Sequence, residues 1–314
     1  MRPKYVRLLF PILVVALLAF EGITDAKASF KFLGNQFIAN MGQYIWVSNN
    51  GLKWEGPANL GYQRLKDITY GNGLYYAMNT LASVLYSSHN CLKWNVIRFR
   101  ERPPYGANRL VFHNSLVLAG YQSIWASNTN GTIWKGMGRL PTPFVHKPIV
   151  CGKYMYILSH GGVPTPGGFK NFGIIYSLLT NNKLSYFKYS GYGIRPSSGV
   201  CANNVLFLSP ALPVLQKIKV LKYSGNGSKG HINPVNIPFS TDTIAYGNGH
   251  YIAYNTYGCD INHYDSISTN GNAWKAIKTN ACMSSVAFGN GIFVGQSGMS
   301  LYHSLNGVHW SKAN

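Results

Sequence analysis

Apolar and polar positions alternate along the chain in short runs that turn on an asparagine-glycine step. Ile68-Thr69-Tyr70-Gly71-Asn72-Gly73-Leu74-Tyr75-Tyr76 returns as Ile244-Ala245-Tyr246-Gly247-Asn248-Gly249-His250-Tyr251-Ile252 and as Val286-Ala287-Phe288-Gly289-Asn290-Gly291-Ile292-Phe293-Val294. Alternation sends successive side chains to opposite faces of a strand, and Asn-Gly supplies the positive φ that a tight hairpin needs. Each run therefore predicts two paired strands, A and B. In the unit that starts at Ile68, Val84-Leu85-Tyr86-Ser87 and Lys93-Trp94-Asn95-Val96 follow as strands C and D.

A second signal lies between C and D. Ser48-Asn49-Asn50-Gly51-Leu52-Lys53-Trp54 recurs 40 residues on as Ser88-His89-Asn90-Cys91-Leu92-Lys93-Trp94, then one residue longer as Ser127-Asn128-Thr129-Asn130-Gly131-Thr132-Ile133-Trp134. Ser268-Thr269-Asn270-Gly271-Asn272-Ala273-Trp274 and Ser304-Leu305-Asn306-Gly307-Val308-His309-Trp310 close the series. Two worn units fill the gap. Ile149 to Tyr156 with Ile174-Ile175-Tyr176 and Leu184 to Phe187 make one, interrupted by a Gly/Pro loop from Gly161 to Gly168; Gly199 to Phe207 with Val220 to Ser224 make the other. The count is seven. A four-stranded sheet of this size cannot bury both faces alone, so the units must pack face to face around an axis. The expected fold class is all-β, a seven-bladed β-propeller of four-stranded antiparallel blades. A β-sandwich needs no period near 40 and leaves the recurring tryptophan unexplained.

The run Ser-x-Asn-Gly-x-x-Trp resembles the Asp-box, or BNR, repeat of sialidase-like propellers, and five of the seven units carry it. The resemblance implies a marker of architecture, placed on the side away from the active site in that family. Asn50, Asn90, Asn270 and Asn306 can hold an Asx-turn, glycine permits positive φ, and tryptophan packs between blades. Asn stands where the family usually has Asp, and Cys91 takes a glycine place. The sialidase chemistry itself is mostly missing: six acidic residues follow position 28, and the nearest likeness to the family's Arg-Ile-Pro run is the reordered Ile194-Arg195-Pro196.

Composition excludes a coiled coil and a disordered chain, since 46% of residues are hydrophobic and only 11% charged. Arg2, Lys4 and Arg7 precede the apolar run Leu8 to Phe20, and Ala26-Lys27-Ala28 offers small residues for cleavage, so residues 1–28 read as a secretory signal peptide and 29–314 as a single propeller. The expected location is secreted or periplasmic. The 28 Lys and Arg against 8 Asp and Glu give +20, and loss of the signal leaves about +18. An anionic partner follows from that balance. Nucleic acid is an unlikely partner because export separates the chain from most of it.

Strand direction alternates within a blade, so B-to-C loops and D-to-A linkers open on one face, A-to-B turns and Asp-boxes on the other. Arg64, Arg98, Arg100, Arg102, Arg109, Arg139 and Arg195 all fall at or beyond the end of a D strand, on the first face. Guanidinium forks suit carboxylate, sulfate or phosphate. Lys66, Asp67, Arg109, Lys147, Ser198, Asp242, Thr243 and Ser285 align where the chain enters the central channel. Asp67 and Asp242 are the best-placed carboxylates for a hydrolytic pair, should the chain be a glycoside hydrolase or related carbohydrate-active enzyme.

Asp260, His263 and Asp265 match no zinc or calcium signature and read as a hydrogen-bonded loop, so no metal is assigned. P-loop, His-Glu-x-x-His and Gly-x-Ser-x-Gly motifs are absent, and no cofactor is expected. Among five cysteines, Cys259 and Cys282 share a face on adjacent blades and are the candidate disulfide. Cys151 and Cys201 are expected as buried thiols at equivalent positions, beyond the ~7 Å Cα limit of a bridge. Cys91, on a turn, is the expected free and reactive thiol. Taken together the sequence points to an exported binding module for an anionic glycan or a phosphate- or sulfate-bearing surface molecule. The alternatives are a sialidase-like enzyme and a protein-protein assembly scaffold.

Overall fold

The computed structural model describes residues 29–313 apart from 62–63, 80–82, 100–108, 121–122, 141–143, 146–147, 166–167, 180–183, 191–195, 211–218, 225–229, 240, 242, 256–262 and 299, and only the backbone at 144–145, 160–165, 168–173, 176–179, 184, 189–190, 196–198, 210 and 219. Blade 1 holds β1 (Ser29–Leu33), β2 (Gln36–Met41), β3 (Tyr44–Ser48) and β4 (Glu55–Asn59). Blade 2 holds β5 (Leu65–Gly71), β6 (Leu74–Asn79), β7 (Leu85–Ser88) and β8 (Asn95–Ile97), and blade 3 holds β9 (Arg109–Phe112), β10 (Leu116–Gly120), β11 (Ser123–Ser127) and β12 (Lys135–Arg139). In blade 4 the inner position is shared by β13 (Phe144–Val145) and β14 (Ile149–Cys151), followed by β15 (Tyr154–Thr165), β16 (Gly168–Leu179) and β17 (Leu184–Ser190). Blade 5 has β18 (Pro196–Ala202), β19 (Val205–Pro210), β20 (Lys219–Ser224) and β21 (His231–Asn236); blade 6 has β22 (Thr243–Gly247), β23 (His250–Tyr254), β24 (Tyr264–Ser268) and β25 (Lys275–Lys278). Blade 7 ends the ring with β26 (Ser285–Gly289), β27 (Ile292–Ser297), β28 (Ser300–Ser304) and β29 (Ser311–Lys312). The seven-bladed β-propeller expected from the repeat is the observed fold.

Each sheet is an antiparallel meander of strands from one blade, with β13 and β14 both paired to β15 in blade 4, so the first and last blades share no sheet. They meet by packing. Phe30, Phe37, Ala39 and Trp46 of blade 1 form one buried cluster with Ala287, Ile292 and Val294 of blade 7. Across the same seam Phe30 N donates to Ser285 Oγ at 3.2 Å, and Asn290 Nδ2 donates to Asn35 O and Asn49 O. At roughly 1.5–3 kcal/mol for each large side chain fully buried, against about 1 kcal/mol per hydrogen bond, the apolar cluster is the main closure. Six further clusters of the same kind each join two consecutive blades.

The repeated turns are built as the sequence implies. Asn50 Oδ1 accepts from Leu52 N and Lys53 N at 2.9 and 3.0 Å, and Ser48 Oγ accepts from Gly51 N at 2.9 Å. Asn90, Asn270 and Asn306 repeat the arrangement. In the longer third copy Thr129 Oγ1 takes the amide of Ile133 instead, and Asn130 accepts from Tyr76 of the preceding blade. Trp94, Trp134, Trp274 and Trp310 each donate Nε1 to the carbonyl three residues back. Cys91 is free, as expected, yet it is not reactive in character. It fills the glycine place of its turn, fully buried against blade 1, and burial pushes its thiol well above the usual range.

Cys151 and Cys201 correct the sequence reading, because they are joined in a disulfide with Cα atoms 5.3 Å apart. Register gives the reason. Cys151 pairs with Tyr154 as Gly71 pairs with Leu74, whereas Cys201 pairs with Leu206 as Tyr70 pairs with Tyr75. The two positions are one residue out of step. In other blades that offset brings a glycine against an aromatic ring of the next blade: Gly71 against Phe112, Gly247 against Phe288, Gly289 against Phe32. Between blades 4 and 5 two sulfurs take the place of that contact. The Gly161–Gly168 segment also differs from a loop, since β15 and β16 stay paired out to Thr165 and Gly168. Twelve residues at ~3.3 Å each make each of these strands about 40 Å long, roughly twice the second strands elsewhere.

Candidate functional site

The face where inner strands begin and outer strands end holds the four described arginines. Arg64 is exposed just before β5, Arg98 just after β8, and Arg139 at the end of β12; Lys66 is exposed and Arg109 half-buried at the starts of β5 and β9. Arg100, Arg102, Lys147, Arg195, Asp242 and Cys259 lie outside the described residues. Among the described carboxylates, Asp67 and Asp265 are buried, and Glu55 is exposed at the opposite end, where β4 begins. No exposed carboxylate among the described residues therefore neutralises the arginine face.

Asp67 is buried near the start of the inner strand β5. Lys31 of blade 1 donates Nζ to Asp67 Oδ1 and to Ile68 O. Ile68 N donates to the same carboxylate at 3.0 Å, and Leu110 N of blade 3 to its Oδ2 at 3.0 Å. One buried side chain thus ties three blades. The equivalent position in blade 7, Ser285, accepts Phe30 N of blade 1, and Thr69 Oγ1 accepts Phe112 N at 3.0 Å. Thr243 Oγ1 donates to Ser284 O at 3.4 Å. Asp67, Thr243 and Ser285 were legible as equivalent positions; their use as fasteners between inner strands was not.

His263 and Asp265 come together as a buried pair on the arginine-side end of blade 6, with Nε2 and Oδ1 3.1 Å apart. Asp265 also accepts Asn255 N at 2.7 Å and Thr279 Oγ1 at 2.8 Å. Burial raises the Asp265 carboxyl above its ordinary value, while these donors and His263 pull it back down. Its oxygens are committed to the fold. Asp260, the third member of the sequence cluster, lies outside the described residues. Cys282 is disulfide-bonded and its Sγ lies 3.7 Å from Asn255 O.

Five exposed lysines lie on the other face. Lys53, Lys93, Lys135 and Lys275 are exposed at or just past the repeated turns, and Lys153 on the β14–β15 turn. Sequence reasoning placed the arginines and passed over these. The signal was present in the variable positions of the Ser-x-Asn-Gly-x-x-Trp run, which point to solvent.

The chain matches no known family profile and no curated protein sequence. Its fold is that of solved propellers. A streptogramin B lyase superposes with a TM-score of 0.63 at 12% identity over 93% of this chain and 94% of that one. The extracellular domain of BT4673, a putative one component system of B. thetaiotaomicron, gives 0.62 at 9% identity over 93% of this chain and 42% of that one. YCF48 from Cyanidioschyzon merolae gives 0.58 at 12% identity over 88% and 94%. At these identities the likeness is one of fold alone.

Proposed function

We propose that this chain is an exported propeller of the Asp-box type that binds an anionic ligand, a glycan or a phosphate- or sulfate-bearing surface molecule, on its arginine face. The observation that carries the reading is the gathering of Arg64, Arg98, Arg109 and Arg139 at one end of blades 2 and 3, with the described carboxylates buried or at the other end. Planar guanidinium donors bind carboxylate, sulfate and phosphate through paired hydrogen bonds. The Asn-centred turns support the Asp-box relationship. Residues 1–28 act as the signal peptide. Three disulfide-bonded cysteines, Cys151, Cys201 and Cys282, fit an oxidising secreted or periplasmic location, and one fold neighbour is an extracellular domain. Cys259 is the proposed partner of Cys282. No helix of the described residues is long and apolar enough to cross a membrane.

A carbohydrate-active role through Asp67 and Asp242 has less support, because the Asp67 carboxylate already holds Lys31, Ile68 N and Leu110 N. The test is a glycan and polyphosphate array read at two salt concentrations with residues 29–314 and a variant carrying Arg64, Arg98 and Arg139 as alanine. Binding that weakens steeply with salt and disappears in the variant is expected. Equal binding by both proteins would sink the reading.

A further inference from the structure

The face opposite the arginines carries exposed apolar side chains on the repeated turns of blades 7, 1 and 3. Leu305 of blade 7 is 72% exposed, Leu52 of blade 1 40% and Ile133 of blade 3 38%; Leu92 of blade 2 is half-buried at the place Leu52 takes. Single exposed leucines are ordinary on a protein surface. Exposed apolar side chains on this turn in blades 7, 1 and 3, at a different place in each copy, gain meaning from the bases that accompany them. Each of these turns also carries an exposed base: His309 four residues after Leu305, Lys53 next to Leu52, Lys93 next to Leu92 and Lys135 two residues after Ile133. Glu55 is the exposed acid among the described residues of this arc.

The crests are stiff. Asn50, Asn90 and Asn306 each take two amides of their own turn, Thr129 Oγ1 takes the amide of Ile133 in blade 3, and Asn248 of blade 6 donates to Leu305 O at 2.6 Å. They form a row of separate knobs, one per blade, at the same end of the strands. A protein partner needs a contiguous patch of about 800 Å² with a packed centre. A fluid planar surface does not, because each knob sinks independently while the lysines beside it meet headgroup phosphates.

We propose that the turn face of blades 7, 1, 2 and 3 docks on an anionic lipid surface, with Leu305, Leu52 and Ile133 entering the interfacial layer and Lys53, Lys93 and Lys135 engaging phosphate. This does not depend on ligand binding at the arginine face, which docking would leave pointing away from the membrane.

Co-sedimentation of residues 29–314 with vesicles tests it; this segment contains every strand and the ring closure. Binding to phosphatidylcholine vesicles mixed with phosphatidylglycerol, and not to phosphatidylcholine alone, is expected. Changing Lys53, Lys93 and Lys135 to glutamate should reduce binding at least tenfold, given roughly fivefold per lysine near an anionic surface. Changing Leu52, Ile133 and Leu305 to serine should weaken it severalfold, and Leu305→Ser alone should weaken it measurably with melting temperature unchanged, because that side chain is 72% exposed. The Arg64/Arg98/Arg139 alanine variant should bind vesicles like the parent. Failure to bind anionic vesicles, loss confined to the arginine variant, or turn-face variants that sediment like the parent would each overturn the proposal. So would turn-face variants that lose a co-purifying protein and keep vesicle binding, which would assign the face to a protein.

Discussion

A Cβ placed on Gly51 would stand 2.4 Å from Val294 Cγ2, across the seam where the seventh blade meets the first. No strand is exchanged there, so this contact belongs to the only closure the ring has among the described residues. Gly51→Ala should cost about 2–4 kcal/mol: left-handed backbone strain at φ +72° contributes about 1–2, and overpacking the rest. Gly42 is the control, at φ +63° with nothing within 4 Å of an added Cβ. Gly42→Ala should show the strain alone. Urea midpoints for the two variants measure the difference, and equal losses would mean the seam yields without cost.

Lys31, Asp67 and Leu110 fasten three inner strands through one carboxylate. Removing one partner of a buried ion pair leaves the other uncompensated, so Asp67→Ala should destabilise by about 3–5 kcal/mol. Asp67→Asn keeps an acceptor for one backbone amide and should lose less. Both variants, where folded, should bind an anionic ligand as the parent does. A folded Asp67→Asn protein that had lost ligand binding would return this residue to the functional site.

The repeat made blade number, strand count and turn chemistry legible, because an Asx-turn and a glycine hairpin are local and depend on few residues. The cysteines were harder. Whether Cys151 stands with Tyr70 or with Gly71 is a one-residue question of register, and the worn fourth unit lacks the Gly-Asn-Gly step that would have settled it. Cys91 illustrates a different limit. Its turn is at the surface, yet the glycine position within that turn faces the preceding blade, as Gly131 faces Leu85 and Gly271 faces Phe207. Exposure of an element did not carry over to each of its residues. The ends of blades 2 and 3 at which Arg64, Arg98, Arg109 and Arg139 lie followed from strand direction alone, whereas the commitment of Asp67 to its neighbours depends on contacts between blades.

Several tyrosines are buried between blades and resist ionisation. Burial pushes Tyr223 up to about 12, and Tyr75, Tyr156 and Tyr254 are raised above their ordinary value of 10.0 for the same reason. A group that holds its proton more tightly when folded binds more protons in the native than in the unfolded state above pH 10, so stability must fall as pH rises from there. Far-ultraviolet circular dichroism and phenolate absorbance followed together should show these tyrosines ionising in step with loss of structure. Tyr223→Phe should flatten the decline. A parent protein whose urea midpoint is constant through this range would contradict the burial.

Cys151 and Cys201 occupy the places that hold glycine and an aromatic residue at three other seams, so two chemistries fill one geometry. Closing a loop of 50 residues removes about 4 kcal/mol of chain entropy from the unfolded state. Changing both cysteines to alanine should lose about 2–4 kcal/mol and also leave the seam underpacked, because alanine fills less of the gap than either arrangement. Cys151→Gly with Cys201→Tyr rebuilds the contact seen where Gly247 meets Phe288. That pair should recover about 1–2 kcal/mol of packing while staying below the disulfide-bonded parent, since the entropic part is gone. Thermal and urea unfolding of the three proteins under oxidising conditions separates the two contributions. A Gly/Tyr variant no more stable than the alanine pair would show that the seam between blades 4 and 5 is not built to the plan of the others.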